Sequence, residues 1–129
     1  MITKRVPRIL LVDSEAKWSQ AVKAALEERG KYQVESVTDI ETAVHSSYGD
    51  SFDLILINAV LAFGEDIPKF KEIVRRYTDR VLVISDVRSL STAIRVFKMG
   101  ADYAEKPFEP RRVIELVASS LQQAYGTAS

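Results

Sequence analysis

Three short runs of this chain consist almost wholly of large apolar residues, chiefly Ile, Leu and Val: Ile9-Leu10-Leu11-Val12, Phe52 to Ile57, and Val81 to Ile84. A strand this apolar has no face to give to water, so it belongs inside a parallel sheet covered on both sides. Parallel strands need long crossovers, and the segments between the runs carry helical periodicity. Trp18, Val22, Ala25 and Leu26 share one face ahead of a stop signal at Gly30. Thr38 and Glu41 have the spacing of a capping box ahead of Ile40, Ala43 and Val44. Ile67, Phe70, Val74 and Tyr77 mark a third helix, and Leu90, Ala93, Ile94 and Phe97 the apolar stripe of a fourth, stopped by Gly100. Pro110, a good first-turn residue, opens a fifth with Val113, Ile114, Val117 and Leu121 on its inner face. A more alternating run, Tyr32 to Val37, reads as an edge strand, and a weak fifth strand lies around Tyr103-Ala104.

Five strands and five helices joined by short right-handed crossovers predict an α/β fold, a three-layer αβα sandwich of the flavodoxin-like (βα)5 kind. The 129 residues suit one domain large enough to close a core without crosslinks. Residues 1–124 are expected to form it, with 125–129 as a tail or the start of a linker. The absence of cysteine removes disulfides, thiolate chemistry and Cys-ligated metal sites. No apolar stretch approaches the roughly 18 residues of a membrane span, and the N-terminus lacks a signal-peptide core. The expectation is therefore a cytoplasmic protein. Eighteen basic side chains balance eighteen acidic ones, which argues against direct nucleic-acid binding, with Arg111 and Arg112 expected to face solvent.

In such a sheet, chemistry collects outside the carboxyl ends of the strands. Asp13-Ser14, Asn58, Ser85-Asp86 and Glu105-Lys106-Pro107 each close or follow an apolar run, so the fold places them on one rim. Singly, each has a structural explanation: helix caps for Asp13 and Ser14, loop hydrogen bonds for Asn58 and Ser85, a surface position for Lys106. Together, an acid, an amide, a hydroxyl and a lysine at four strand ends point to a site. His45 and Trp18 are read as structural, Trp18 as core.

These motifs resemble the receiver domains of two-component signalling proteins over roughly residues 8 to 124. Ile9 to Glu15 looks like the first strand and its acidic pair, and Phe52 to Asn58 like the strand that ends at the phosphoacceptor. Val81 to Ser85 is similar to the fourth strand with its hydroxyl residue, and Gly100 to Phe108 to the aromatic switch position followed by Lys-Pro. The resemblance implies the sheet order 2-1-3-4-5. It also implies a carboxylate at position 58 that takes a phosphoryl group, and a Mg²⁺ ion held by acids at 13 and 14, by residue 58 and by the Val60 carbonyl. Ser85 would then hydrogen-bond the phosphoryl group, Lys106 would pair with it, and a cis Lys106-Pro107 bond would aim the lysine.

The chain departs from that pattern. Asn58 has no anionic oxygen, so it is a poor nucleophile and a weaker Mg²⁺ ligand, and Ser14 removes the second acid. Of the implied metal ligands only Asp13, Asn58 and Val60 remain, and no tightly bound cofactor is expected. Asp86 stands where the family has a small residue; its carboxylate is expected to point to solvent, the alternative being that it leans inward and partners Lys106. Leu61-Ala62-Phe63 replaces the usual Met-Pro loop, with Phe63 expected to pack beneath it. The pocket Asp13, Ser14, Asn58, Ser85, Asp86 and Lys106 thus reads as vestigial.

The leading expectation is a receiver-like domain acting through protein contacts without aspartyl phosphorylation, rather than an enzyme. The alternative is a normal phosphorelay receiver in which Asn58 alone replaces the phosphoacceptor. Contacts with a partner or a second copy are expected on the face of the fourth helix, fifth strand and fifth helix. There Arg95, Lys98, Asp102, Glu105 and Arg112 would surround Tyr103, which is either a two-state switch and anchor or an ordinary half-buried aromatic.

Overall fold

The computed structural model of the protein describes residues 6–49, 51–64 and 66–125. Five strands, β1 (Arg8–Val12), β2 (Gln33–Val37), β3 (Leu54–Asn58), β4 (Val81–Ser85) and β5 (Asp102–Glu105), form one sheet in the order β2-β1-β3-β4-β5. All four pairings are parallel. The helices are α1 (Ala16–Glu28), α2 (Ile40–Gly49), α3 (Ala59–Ala62), α4 (Ile67–Arg76), α5 (Leu90–Met99) and α6 (Val113–Tyr125). A 3₁₀ turn at Pro110–Arg112 leads into α6. One-turn α3 was not legible in the sequence, so the fourth and fifth expected helices are α5 and α6.

Alternation within the central strands builds two cores. Leu10, Val12, Ile55, Ile57, Val81 and Val83 point to one face, where Ala43, Ala62, Phe70, Ile73, Val74 and Val96 of α2 to α5 cover them. Ile9, Leu11, Leu54, Leu56, Leu82 and Ile84 point to the other, under Val22 and Leu26 of α1 and Val113 and Val117 of α6. Every residue of β3 and β4 is buried, as continuous apolar runs in a doubly covered parallel sheet require.

Local signals worked with exceptions. Ser89 accepts the Thr92 amide at the start of α5, and Gly100 ends that helix in the left-handed conformation at φ 92°. Asp39, not Thr38, caps α2, taking the Thr42 amide at 2.7 Å and the Thr42 hydroxyl at 3.0 Å. A carboxylate one residue nearer the helix out-competes the hydroxyl. Helix α6 runs to Tyr125, one residue into the expected tail, and 126–129 lie outside the described residues.

The main correction concerns α5. Ala93 and Val96 face the sheet, whereas Leu90, Ile94 and Phe97 are 76%, 44% and 57% exposed. Apolar residues lie on more than one side of this helix, so periodicity finds a stripe without telling which one the sheet takes. Leu90, Ile94 and Phe97, spaced i, i+4 and i+7, are left as an uncovered apolar stripe beside β5.

At the first residue of β5, partial burial and the neighbouring Asp79 carboxylate raise the Asp102 carboxyl above its usual range. A carboxyl raised in the folded state contributes stability below its unfolded pKa of about 3.9, and that contribution is lost as pH rises through the folded value. Asp102→Asn is therefore expected to raise the melting temperature at neutral pH and to leave it nearly unchanged near pH 3. Thermal unfolding at the two pH values checks this.

Candidate functional site

The strand register brings the rim residues together. Val12 lies opposite Ile57, Asn58 opposite Ile84 and Ser85 opposite Glu105, so Asp13, Asn58, Ser85-Asp86 and Lys106 emerge at one level. The Lys106 amide extends the β4–β5 ladder by donating to the Ser85 carbonyl at 2.8 Å. That bond aims the lysine back over the sheet ends without a cis peptide; the Lys106-Pro107 bond is trans, contrary to the implied geometry, as are all peptide bonds among the described residues.

Lys106 is the centre of the site. Its side chain is only 8% exposed, and its ammonium lies 3.3 Å from Asp13 Oδ2, 2.6 Å from Glu15 Oε1 and 3.3 Å from Asp86 Oδ1. The ring of Trp18 lies 4.2 Å below it. Burial works against the charge, but the hydrogen bond to Glu15 and the Asp13 carboxylate outweigh it and hold the ammonium above the ordinary lysine range. Trp18 is thus half-buried with one face turned to the site, not purely core as expected.

Asn58 fits between the acids. Its Oδ1 accepts the Val60 amide at 2.8 Å, which caps α3. Its Nδ2 donates to Asp86 Oδ2 at 3.1 Å and reaches Asp13 Oδ2 at 3.4 Å. An amide offers an acceptor on one side and donors on the other. Asp86 therefore leans inward, correcting the expectation that it points to solvent, because Lys106 and Asn58 both present it with N–H donors. The remaining Asp13 oxygen accepts the Glu15 amide at 2.8 Å. Ser14 is exposed and stands outside the cluster. Glu15, present in the motif but not singled out from it, supplies the shortest contact to Lys106 instead.

Ser85 and Tyr103 converge on one atom. The Ser85 hydroxyl donates to the Val87 carbonyl at 2.6 Å, and the Tyr103 hydroxyl donates to the same carbonyl at 3.1 Å. Tyr103 also accepts the Ser89 amide at 3.2 Å. The expected anchor is accordingly a half-buried side chain tied into the loop between β4 and α5. The other expected face residues divide. Lys98 is exposed, Asp102 is half-buried, Glu105 pairs with Arg88 at 2.5 Å, and Arg112 lies 3.5 Å from both Glu109 and Glu115. Arg95 is drawn the other way, its guanidinium 4.5 Å over the ring of Phe63. Phe63 packs edge-on against Phe70 at 5.3 Å, under the loop as expected. Arg111 and Arg112 are exposed, and no helix among the described residues is long and apolar enough to cross a membrane.

A parallel 2-1-3-4-5 sheet with an acid, an amide, a hydroxyl and a lysine at its rim has the architecture of a receiver. Residues 9–118 match the response regulator receiver domain family, and the chain belongs to it. The transcriptional regulatory protein ResD of Bacillus subtilis (strain 168) is 25% identical over 122 residues, covering 94% of this chain and 50% of that protein. This chain thus spans about half the length of that relative. A CheY-like response regulator receiver domain protein from Methanospirillum hungatei JF-1 superposes with a TM-score of 0.81 at 24% identity, covering 94% of this chain and 98% of the other. The beryllofluoride-activated NtrC4 receiver domain, solved as a dimer, superposes with a TM-score of 0.77 at 26% identity, covering 91% and 98%.

The geometry makes Asn58→Asp costly. The change replaces an N–H donor with a carboxylate oxygen facing two others, at a position that is nearly fully buried. With divalent cations chelated, a loss of about 1–3 kcal/mol is expected by denaturant unfolding. Adding Asp86→Ser should recover part of it non-additively, since the two side chains touch. An Asn58→Asp protein as stable as wild type contradicts this reading.

Proposed function

We propose that this receiver domain works by protein contact, independently of aspartyl phosphorylation and without a resident divalent cation. The observation that carries the proposal is the occupied state of Lys106. In the receiver pattern this ammonium faces a phosphoryl group; here Asp13, Glu15 and Asp86 surround it. Their net negative charge opposes an incoming phosphate, and Asn58 offers no nucleophilic oxygen to receive one.

The donor set does not suit Mg²⁺ either. One Asp13 oxygen accepts the Glu15 amide and the other faces an ammonium, while Asn58 Oδ1 accepts the Val60 amide. The Val60 carbonyl lies on the Gly64 side of its turn, so close that a Cβ at Gly64 would stand 2.7 Å away. A hard dication needs several oxygens in near-octahedral array, not these spent acceptors around a lysine. The alternative, a phosphorelay receiver altered only at Asn58, is disfavoured because Glu15 and Asp86 add carboxylates that already occupy Lys106, and Asp86 accepts from the Asn58 amide.

The surface that supports a contact function is the face of α5, β5 and α6. Leu90, Ile94 and Phe97 expose a continuous apolar stripe there, flanked by Lys98, the Arg88–Glu105 pair and Asp102. Large apolar side chains gathered in one exposed stripe mark protein interaction sites, and the mixed charges at its border set orientation. The occupant is a partner protein or a second copy of the chain, as in the NtrC4 receiver dimer, and not nucleic acid or a membrane.

Chemical-shift mapping against protein concentration, and then against candidate partners, tests this. Perturbations are expected along α5 and β5, and Phe97→Ser should weaken association at least about tenfold, the effect of losing one buried aromatic contact. Perturbations confined to α1 or the Asn58 rim, or unchanged association in Phe97→Ser, would reject the face.

A further inference from the structure

We infer that Asp86 is a built-in anion that positions the β4–α5 loop, and through it the apolar stripe of α5, with no added phosphate. The inference rests on the function proposed above and concerns how the same face is regulated.

Asp86 is the first residue beyond β4, and its two oxygens reach two different strands. Oδ1 meets the Lys106 ammonium past β5 at 3.3 Å, and Oδ2 accepts from the Asn58 amide at the end of β3 at 3.1 Å. One carboxylate thus ties three neighbouring strand ends together. Its side chain is 54% exposed, which would make an isolated ion pair weak, but both partners are buried and fixed by other bonds. The anchor points are therefore rigid and the mobile element is the loop.

The next three residues carry that constraint to the helix. Val87 receives the Ser85 and Tyr103 hydroxyls on its carbonyl, and its amide donates to Ser85 Oγ at 3.3 Å. The Ser89 amide donates to Tyr103, and Ser89 Oγ accepts the Thr92 amide at 3.2 Å to start α5. Leu90, the first residue of the exposed stripe, follows directly. From Lys106 to Leu90 every step is a covalent neighbour or a direct hydrogen bond. A further tie on this loop, the Arg88–Glu105 pair, sits at the surface with Arg88 85% exposed.

Two conformations of a loop are biased by whatever binds one of them better. In this domain the bias comes from the chain itself. Asp86 holds the loop in the state where Tyr103 is bonded to it, so α5 presents its stripe continuously.

Amide exchange by NMR on the whole isotopically labelled chain tests the tether in wild type, Asp86→Ala and Arg88→Ala. Asp86→Ala is expected to speed exchange at the Val87 and Ser89 amides at least about tenfold and to broaden the Tyr103 ring signals, with Leu11 and Leu56 in the central strands unchanged. Arg88→Ala should stay within about twofold of wild type at the same amides. Wild-type rates in Asp86→Ala, equal loosening in Arg88→Ala, or equal acceleration at Leu11 and Leu56 would each overturn the proposal. The measurement needs no partner, so the tether can fail while the α5 face stands, and the face can fail while the tether stands.

Discussion

A buried ammonium that must be neutralised governs the rim of this protein. Lys106 is brought over the strand ends by the backbone bond to Ser85, and an uncompensated charge there would cost several kcal/mol. Asp13, Glu15 and Asp86 meet that requirement from the ends of β1 and β4 and the entry to α1. Once three carboxylates crowd one lysine, the residue between them has to be neutral and able to donate. Asn58 is both. The amide is thus a consequence of the charge arrangement as much as a departure from a motif.

That arrangement is possible because the sheet leaves polar groups nowhere else to go. Both faces of β3 and β4 are sealed by helices, so a polar side chain on these strands appears at the carboxyl edge or is buried at a cost. The same constraint made the fold legible in the sequence. Runs such as Leu54 to Ile57 and Val81 to Ile84 specify covered parallel strands, the segments between them specify helices, and strand ends specify the rim. The strand ends alone place Asp13, Asn58, Asp86 and Lys106 side by side on the rim.

Side-chain direction was not legible. Asp86 turned inward because two N–H donors wait there, a fact of three-dimensional placement that no spacing encodes. Glu15 looked like a motif neighbour and became the closest partner of Lys106, since the turn that exposes Ser14 points the next side chain back over the site. Ala93 and Val96 displaced Leu90, Ile94 and Phe97 from the core side of α5 because apolar residues occur around more than one side of the helix. Helix α3 formed where Asn58 could cap it, a signal visible only once the side chain's orientation is known. The exposed stripe and the occupied pocket both follow from these side-chain orientations.

Receiver domains interact with proteins and can dimerise, and this one carries an exposed apolar stripe on α5 and a pocket whose lysine is held by three carboxylates. On the function proposed, the pocket takes no phosphoryl group. Intact-mass measurement after incubation with Mg²⁺ and acetyl phosphate tests that most directly. The account predicts an unchanged mass; a stable gain of one phosphoryl group, abolished by changing Asn58, would contradict it.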